Sequence, residues 1–368
     1  MHKIPILSFF SGGGFLDMGF EQAGFSIIWT NEYDKTFAKM HSEGITSWRK
    51  SRGNGIKAEI FNTKSIEDIT PDEIITEAFT NDKPKTFGII GGPPCQDFSA
   101  SGHNQGFDGE RGHLTKVFFE YLLKIEPSFF VFENVKNLWN NKKHRKRLEE
   151  ILLDVKSQYY VDQRILNSID FGVPQDRNRL FIVGIRKPKY LRENILESQF
   201  DFNWPNYDKY KNALKKYDWP CRDTFQNGVI VPQDIPSELY VKNLMLDSDE
   251  ESKIANGAEY FQPYAKKFWE IEEGDTRNRS FKRLHRYLYS PTACYGNNEV
   301  HLHPFLPRRI SVREALRIQS VDDTYVLLSD IGLSPKFKMI GNGVPVKLAK
   351  AVADSVMNYI NINNVKSD

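Results

Sequence analysis

The 368-residue chain has only three cysteines, Cys95, Cys221 and Cys294. Their odd number, wide spacing and lack of a Cys-x-x-Cys pair argue against a disulfide framework and against a structural zinc site, and favour free thiols in a reducing compartment. Long apolar runs are also missing, since nothing approaches the roughly 18 uninterrupted apolar residues of a membrane span. The opening stretch "MHKIPILSFFSGGG" has no small-residue cleavage site after its short apolar run. It is expected to be a buried strand of a cytoplasmic protein without a membrane partner. Neither sign of charge is in excess. A formal net charge of +2 is too small to name a nucleic-acid partner, because phosphate binding depends on where cations concentrate. Repeats and low-complexity tracts are absent. What remains, 40% hydrophobic and 27% charged, is enough to bury a large core in a chain long enough for two domains.

The first half is patterned. Apolar runs rich in Ile, Val and Phe recur at Ile4–Phe10, Phe25–Trp29, Thr86–Ile90 and Phe129–Phe132, each followed by Gly, Asn, Pro or an acidic residue, with room for helices between them. This alternation predicts an α/β fold with a doubly wound, mostly parallel sheet. Tyr160–Leu166 and Arg179–Ile185 are expected to complete it as an antiparallel hairpin. From about Lys187 to Pro307 aromatics, Asn, Lys and acidic residues mix without period, which reads as a second, smaller and irregular domain. Order returns in "SVREALRIQS", where Ser311 and Glu314 form a capping box. A last helix is expected from Pro345, with Val352, Val356 and Ile360 turned back onto the first domain.

The unusual residues fall at the expected carboxyl ends of the strands, where such sheets bind ligands. "FFSGGGFLDMGF" puts a glycine-rich turn after the first strand, but Asp17 stands where the dinucleotide fingerprint needs its third glycine. The turn is therefore either a nucleoside-type cofactor site or merely tight. Glu32, about 18 residues beyond Gly14, stands near where a carboxylate meets ribose hydroxyls, and this favours the first option. Cys95 follows "GIIGGPP". A lone cysteine is more often a small buried hydrophobe, yet Pro93 and Pro94 cannot continue a central strand and deliver the thiol to the rim of the crevice. "SASGHNQGFDGERG" beyond it has the composition of a closing loop, so a nucleophilic thiol on a lid is the favoured reading.

Taken in order, "FFSGGGFLDMGFEQAGF", "GGPPCQDFSASG", "FENVKNL", "DFGVPQDRNRLFIVGIR", "RRISVREALRIQS" and "MIGNGVPV" resemble the DNA (cytosine-5)-methyltransferases, above all the compact bacterial enzymes of restriction-modification systems. The resemblance covers roughly residues 4–186 and 290–360. It implies a Rossmann-like S-adenosylmethionine-dependent methyltransferase fold, with residues 1–186 as the catalytic and cofactor-binding domain, 187–306 as a target-recognition domain and 307–368 completing the catalytic domain. It implies Cys95 as the nucleophile that adds to carbon 6 of cytosine, Glu133 as partner of ring nitrogen 3, and Arg179 at the carbonyl oxygen, with Asn134, Gln175 and Arg177 bracing the pocket. S-Adenosylmethionine would be held by Phe10, by Ser11, Gly12, Gly14, Phe15 and Leu16, by Glu32 and Tyr33, by Ser65 and Ile66, and by Leu114, Asn342 and Gly343. Two departures stand out: Phe15 replaces the second glycine of the usual Gly-x-Gly-Gly, and Gly343 replaces a frequent Ser or Ala.

The implied substrate is double-stranded DNA with its target base swung out of the stack. Ser99 and Arg111 of the lid are expected near phosphates. In "TRNRSFKRLHRYLY", Arg277, Arg279, Lys282, Arg283 and Arg286 are the candidate DNA contacts, with a solvated basic loop as the alternative. "NKKHRKRLEE" at Asn141–Glu150 reads as the exposed first turn of a helix, with DNA contact as the alternative. His301, His303 and Cys294 lack a fourth ligand, and no metal is expected. The expected protein is a monomer, functionally paired with a restriction endonuclease but not bound to it. Two rivals share the scaffold. A tRNA cytosine methyltransferase would carry a Cys-Phe-Thr element that is missing here. A catalytically dead DNA-binding regulator would have no need of Cys95, Glu133 and Arg179.

Overall fold

The computed structural model describes residues 3–53, 60–80, 82–94, 112–188, 200, 202–222, 230–277, 281–295, 299–328 and 330–363. Among the described residues the apolar runs form seven strands: β1 (Pro5–Phe9), β2 (Ser26–Asn31), β3 (Ile60–Asn62), β4 (Gly88–Gly91), β5 (Phe129–Val135), β6 (Tyr159–Asn167) and β7 (Asn178–Arg186). They lie side by side in the order β3-β2-β1-β4-β5-β7-β6. All pairs among the first five strands are parallel, while β7 runs antiparallel to both β5 and β6, as expected for the hairpin. Three-residue β3 was not legible, being too short to show a period. The order reverses between β1 and β4, so a crevice opens beyond their carboxyl ends.

Helices cover both faces. α3 (Pro71–Ala78), α4 (Leu114–Ile125) and α6 (Lys142–Gln158) bury Ile74, Phe118, Leu122, Leu148 and Leu152 on one face, against Leu7, Ile89 and Phe130. α5 (Asn137–Asn140) is a single turn between β5 and α6. On the other face α1 (Phe15–Gln22) lies with the last helix, α12 (Val346–Asn363), over Ile6, Ile27 and Val131. Val352, Val356 and Ile360 are buried there as expected. Helix α12 starts one residue after Pro345, whose carbonyl accepts from the Ala349 N–H. The Gln319 carbonyl and the Ser320 hydroxyl accept from the N–H groups of Val346 and Lys347. No helix among the described residues is long and apolar enough to cross a membrane.

The segment between β7 and the C-terminal helices has no strand among its described residues, which form the short helices α7 (Ala213–Lys216), α8 (Ser248–Lys253) and α9 (Lys267–Glu270) and two 3-10 turns at Ser237–Leu239 and Val241–Leu244. Ile235, Leu239, Tyr240 and Tyr287 form a small core there with Ile169 and Ala213. Val241, Met245, Leu284 and Val300 belong instead to a core shared with α1, α2 (Lys35–Ser51), α10 (Val312–Ile318) and α11 (Leu333–Asn342). Ser311 caps α10 in the expected box with Glu314. Glu314 is fully buried and also pairs with Arg308 (2.8 Å), which ties the helix start to the irregular segment.

Candidate active site

Strand β1 ends in a turn that only a few backbone conformations allow. Gly12 and Gly14 take positive φ, and so does Phe10 (φ 54°). The Ser11 N–H donates to the Asn31 carbonyl (3.0 Å), joining the turn to the end of β2. Asp17, the residue that breaks the dinucleotide fingerprint, is buried, and its carboxylate accepts from the Ser8 hydroxyl at 2.6 Å. A polar pin thus fixes α1 to β1 where the fingerprint uses a glycine.

Glu32 holds this turn in shape. One carboxylate oxygen accepts from the Gly12 N–H (2.9 Å) and the other from the Asp34 N–H (2.8 Å). Burial raises its pKa above the usual carboxylate range, opposed by those two backbone donors. Tyr33 beside it is 71% exposed. The Ser11 hydroxyl oxygen is buried without a hydrogen-bond partner among the described residues, which is the kind of orphan that a bound polar ligand satisfies.

The remaining residues expected at the cofactor divide. Asn342, at the end of α11, is exposed and Leu114, at the start of α4, is half-buried. Phe15, Leu16 and Ile66 are buried in the hydrophobic cores. Phe15 meets Tyr325 edge-on, with ring centres 5.6 Å apart. The Ser65 hydroxyl accepts from the Glu67 N–H and caps a short 3-10 turn three residues beyond the end of β3. Tyr325 carried no sequence signal in "SVDDTY", yet its buried hydroxyl donates to the Gly13 carbonyl at 2.8 Å and supports the turn from below.

Next to β4, β5 delivers Glu133, and β7 delivers Arg179 opposite Val135, two positions along the shared register. The two side chains form an ion pair at 3.0 Å, about nine-tenths buried on both sides. Gly92 leaves room for the carboxyl, since a Cβ there would lie 2.7 Å from Glu133 Oε2. Burial raises the Glu133 pKa, and the positive charges of Arg179 and Arg177 offset only part of that shift. Arg179 Nη1 donates to the Asn178 carbonyl (2.8 Å), while Nη2 has no hydrogen-bond partner among the described residues. The Asn134 amide donates to the Pro93 carbonyl (3.2 Å) and ties β5 to the Pro-Pro element. Cys95, Ser99 and Arg111 lie outside the described residues.

Arg177 and Gln175 brace rather than line this pocket. Fully buried Arg177 donates to the carbonyls of Ala293, Gly341 and Gly343 at 2.7–2.9 Å. The Gln175 amide donates to the Ile318 carbonyl and accepts from the Ala293 N–H. Gln319 carries no sequence signal of its own in "RIQS". Its amide nitrogen donates to the Ile340 carbonyl (2.7 Å), closing the same network.

The basic cluster expected at DNA is used unevenly. Arg283 is a correction: it is fully buried and donates to the carbonyls of Ile271, His303 and Leu306, so it holds loops together and cannot reach a phosphate. Arg286 is mostly buried and bidentate on Glu273. Arg277 is exposed and pairs with Asp275 (2.8 Å), whose pKa it lowers to about 2. Lys282 is half-exposed, and Arg279 lies outside the described residues.

The family profile described as C-5 cytosine-specific DNA methylase matches residues 4–358. The chain is 40% identical over 367 residues to the Type II methyltransferase M.NmeDI of Neisseria meningitidis serogroup C, covering 97% of this chain and 84% of that one. It is 32% identical to the Type II methyltransferase M.FnuDI of Fusobacterium nucleatum, over 96% of this chain and 94% of the relative. Among solved structures, Entamoeba histolytica methyltransferase EhMeth matches with a TM-score of 0.62 at 15% identity, over 98% of this chain and 99% of that one. S. pombe Dnmt2 methyltransferase matches with a TM-score of 0.62 at 12% identity, over 98% and 100%. At such identities these two likenesses concern the fold alone.

Proposed function

The chain belongs to the C-5 cytosine-specific DNA methylase family, and on that premise we propose that it methylates carbon 5 of one cytosine within a short duplex DNA word. We take the methylation to protect host DNA from a paired restriction endonuclease. The observation that carries the reading is the buried Glu133–Arg179 pair, a carboxyl whose pKa burial raises beside a guanidinium with a spare donor.

Family and fold imply S-adenosylmethionine as methyl donor. The orphaned Ser11 hydroxyl and the glycine turn held by Glu32 fit such a ligand. Phe10, Ser11, Gly12 and Gly14 would hold it together with Glu32 and Tyr33, and Ser65, Leu114, Asn342 and Gly343 would close around it. Bound there, it supplies an electrophilic methyl group.

The chain's own residues make the cytosine reactive. Carbon 6 is out of reach inside a duplex, so the base must leave the stack, at a cost of a few kcal/mol. The Cys95 thiolate forms a bond to carbon 6, and the displaced ring electrons make carbon 5 nucleophilic. Glu133 gives its proton to nitrogen 3 as that charge develops, and Arg179 donates to the oxygen on carbon 2. After methylation carbon 5 loses its proton to a base. The carbon–sulfur bond then breaks, the thiolate leaves and Glu133 recovers the nitrogen 3 proton.

The test is transfer of labelled methyl from S-adenosylmethionine to duplex DNA of mixed sequence, with wild type and Cys95→Ala compared and the methylated positions mapped. Label on carbon 5 of cytosines in one recurring word, absent from the variant, is the expected result. Label on tRNA alone, or no transfer despite cofactor binding, would overturn the proposal.

A further inference from the structure

Strand β5 brings Glu133 to the crevice edge, and the chain stays at that edge for some residues beyond it. Lys136, the single turn of α5 and then the start of α6 follow at once. β5 and β6 both run antiparallel to β7 and hence in the same direction, so α6 begins at the crevice edge and carries the chain back to the opposite one. Its first two turns read Lys142-Lys143-His144-Arg145-Lys146-Arg147.

This placement runs against the helix. Free N–H groups at a helix start carry partial positive charge and favour acidic neighbours, as at α3, which has Asp72 and Glu73 in its first turn. α6 has no acidic residue in its first turn. The start is fixed by a neutral cap, Asn141, whose side chain accepts from the N–H groups of Lys143 and His144. His144, Leu148, Leu152 and Val155 turn inward, leaving Lys142, Lys143, Lys146 and Arg147 exposed. Neutralisation is partial. Arg145 lies 3.8 Å from Glu149 and Arg147 lies 3.2 Å from Glu150, whereas Lys142 and Lys146 make no ion pair among the described residues.

We infer that the first two turns of α6 grip the phosphate backbone of the duplex beside the target base, with the exposed cations rather than the helix N–H groups as the binding elements. This rests on the proposed reaction, which requires a duplex to pass this edge of the sheet. DNA presents a regular row of charges, one per about 1.7 Å of axis, and a row of lysines along one helix answers it without any apolar component. α6 starts only one short helix beyond β5, a distance of about one helix diameter, or ~10 Å. At about 3.4 Å per base pair along a strand, the phosphates reached are about three base pairs from the target, at the edge of a short word or beyond it.

The experiment uses the full chain with Lys142→Glu/Lys146→Glu and, separately, Lys142→Gln/Lys146→Gln. Affinity is measured against salt for a short duplex holding only the word and for one extended on both sides. The Glu variant should bind the long duplex more weakly, and its log–log salt slope should be flatter by about 2, since each lost phosphate contact removes about 0.9. Its preference for long over short duplex should disappear. The Gln variant should show the same change with a smaller loss of affinity. The thermal midpoint of the Glu variant should hold or rise, because acids suit a helix start; a merely structural cluster would lower it. An unchanged slope and length preference would overturn the inference, as would a loss confined to structured RNA. If wild type binds duplex with the expected salt slope yet transfers no methyl, the proposed reaction falls while the slope comparison still decides the grip.

Discussion

Phe15 occupies the space that a side chain at position 343 would need: a Cβ on Gly343 would lie 2.3 Å from Phe15 Cδ2. The two departures from the family pattern are thus one exchange of volume across the contact between the glycine turn and the C-terminal segment. Gly343→Ala should overpack this contact and lower stability by about 1–3 kcal/mol. In a Phe15→Ala background the same change should be nearly free. A double-mutant cycle on thermal unfolding reads the coupling, and equal penalties in both backgrounds would contradict it.

Glu133→Gln keeps the shape and a hydrogen-bond donor but has no proton to give. The methyl-transfer rate at saturating substrates should fall by about 100-fold to 10,000-fold, the usual contribution of a positioned acid. A variant within a few-fold of wild type would remove Glu133 from the chemistry.

The same group makes stability depend on pH with a definite sign. Burial raises its pKa above the ordinary carboxylate value, so the folded protein holds this proton through a window where the unfolded chain has released it. Stability from this source falls as pH rises through that window and stays lost above it. Relative to Glu133→Gln, wild type should therefore gain thermal midpoint as pH is lowered toward the ordinary carboxylate range. A difference that does not vary with pH would show that the carboxyl ionises normally.

Glu32→Ala should act on cofactor binding and leave the chemical step alone, because its carboxylate shapes the Gly12 turn through charge-assisted bonds. At about 1.5–3 kcal/mol for such a bond, affinity for S-adenosylmethionine or its demethylated product should drop about tenfold or more. Calorimetric titration measures this directly. A kcat loss at unchanged affinity would point to another role.

Arg177→Lys should not rescue Arg177→Ala. One ammonium cannot reproduce a fork that reaches the carbonyls of Ala293, Gly341 and Gly343. Both variants should lose about 3 kcal/mol or more, read as a lowered thermal midpoint. Full rescue by lysine would mean that only the charge matters.

Much of this protein is legible in the chain alone, for a physical reason. Strand β4 is buried throughout and β1, β2 and β5 at all but one residue each, so they read as apolar runs, and the turns after them must carry the residues that face a ligand. The Ser311–Glu314 cap is equally local, since it needs only residues three apart. In-order motifs named Glu133, Arg179 and Glu32, but the sequence could not say how they act. Only the antiparallel register of β5 and β7 sets the carboxyl beside the guanidinium, and only burial raises its pKa. Composition likewise made one basic cluster of Arg277, Arg283 and Arg286; packing separates them into an exposed, a fully buried and a carboxylate-paired side chain. The short strand β3, the support from Tyr325 and Gln319, and the volume exchange between Phe15 and Gly343 depend on residues far apart in sequence. Chain order fixes the local conformations and the burial pattern, whereas contacts between distant residues exist only once the sheet has brought them together.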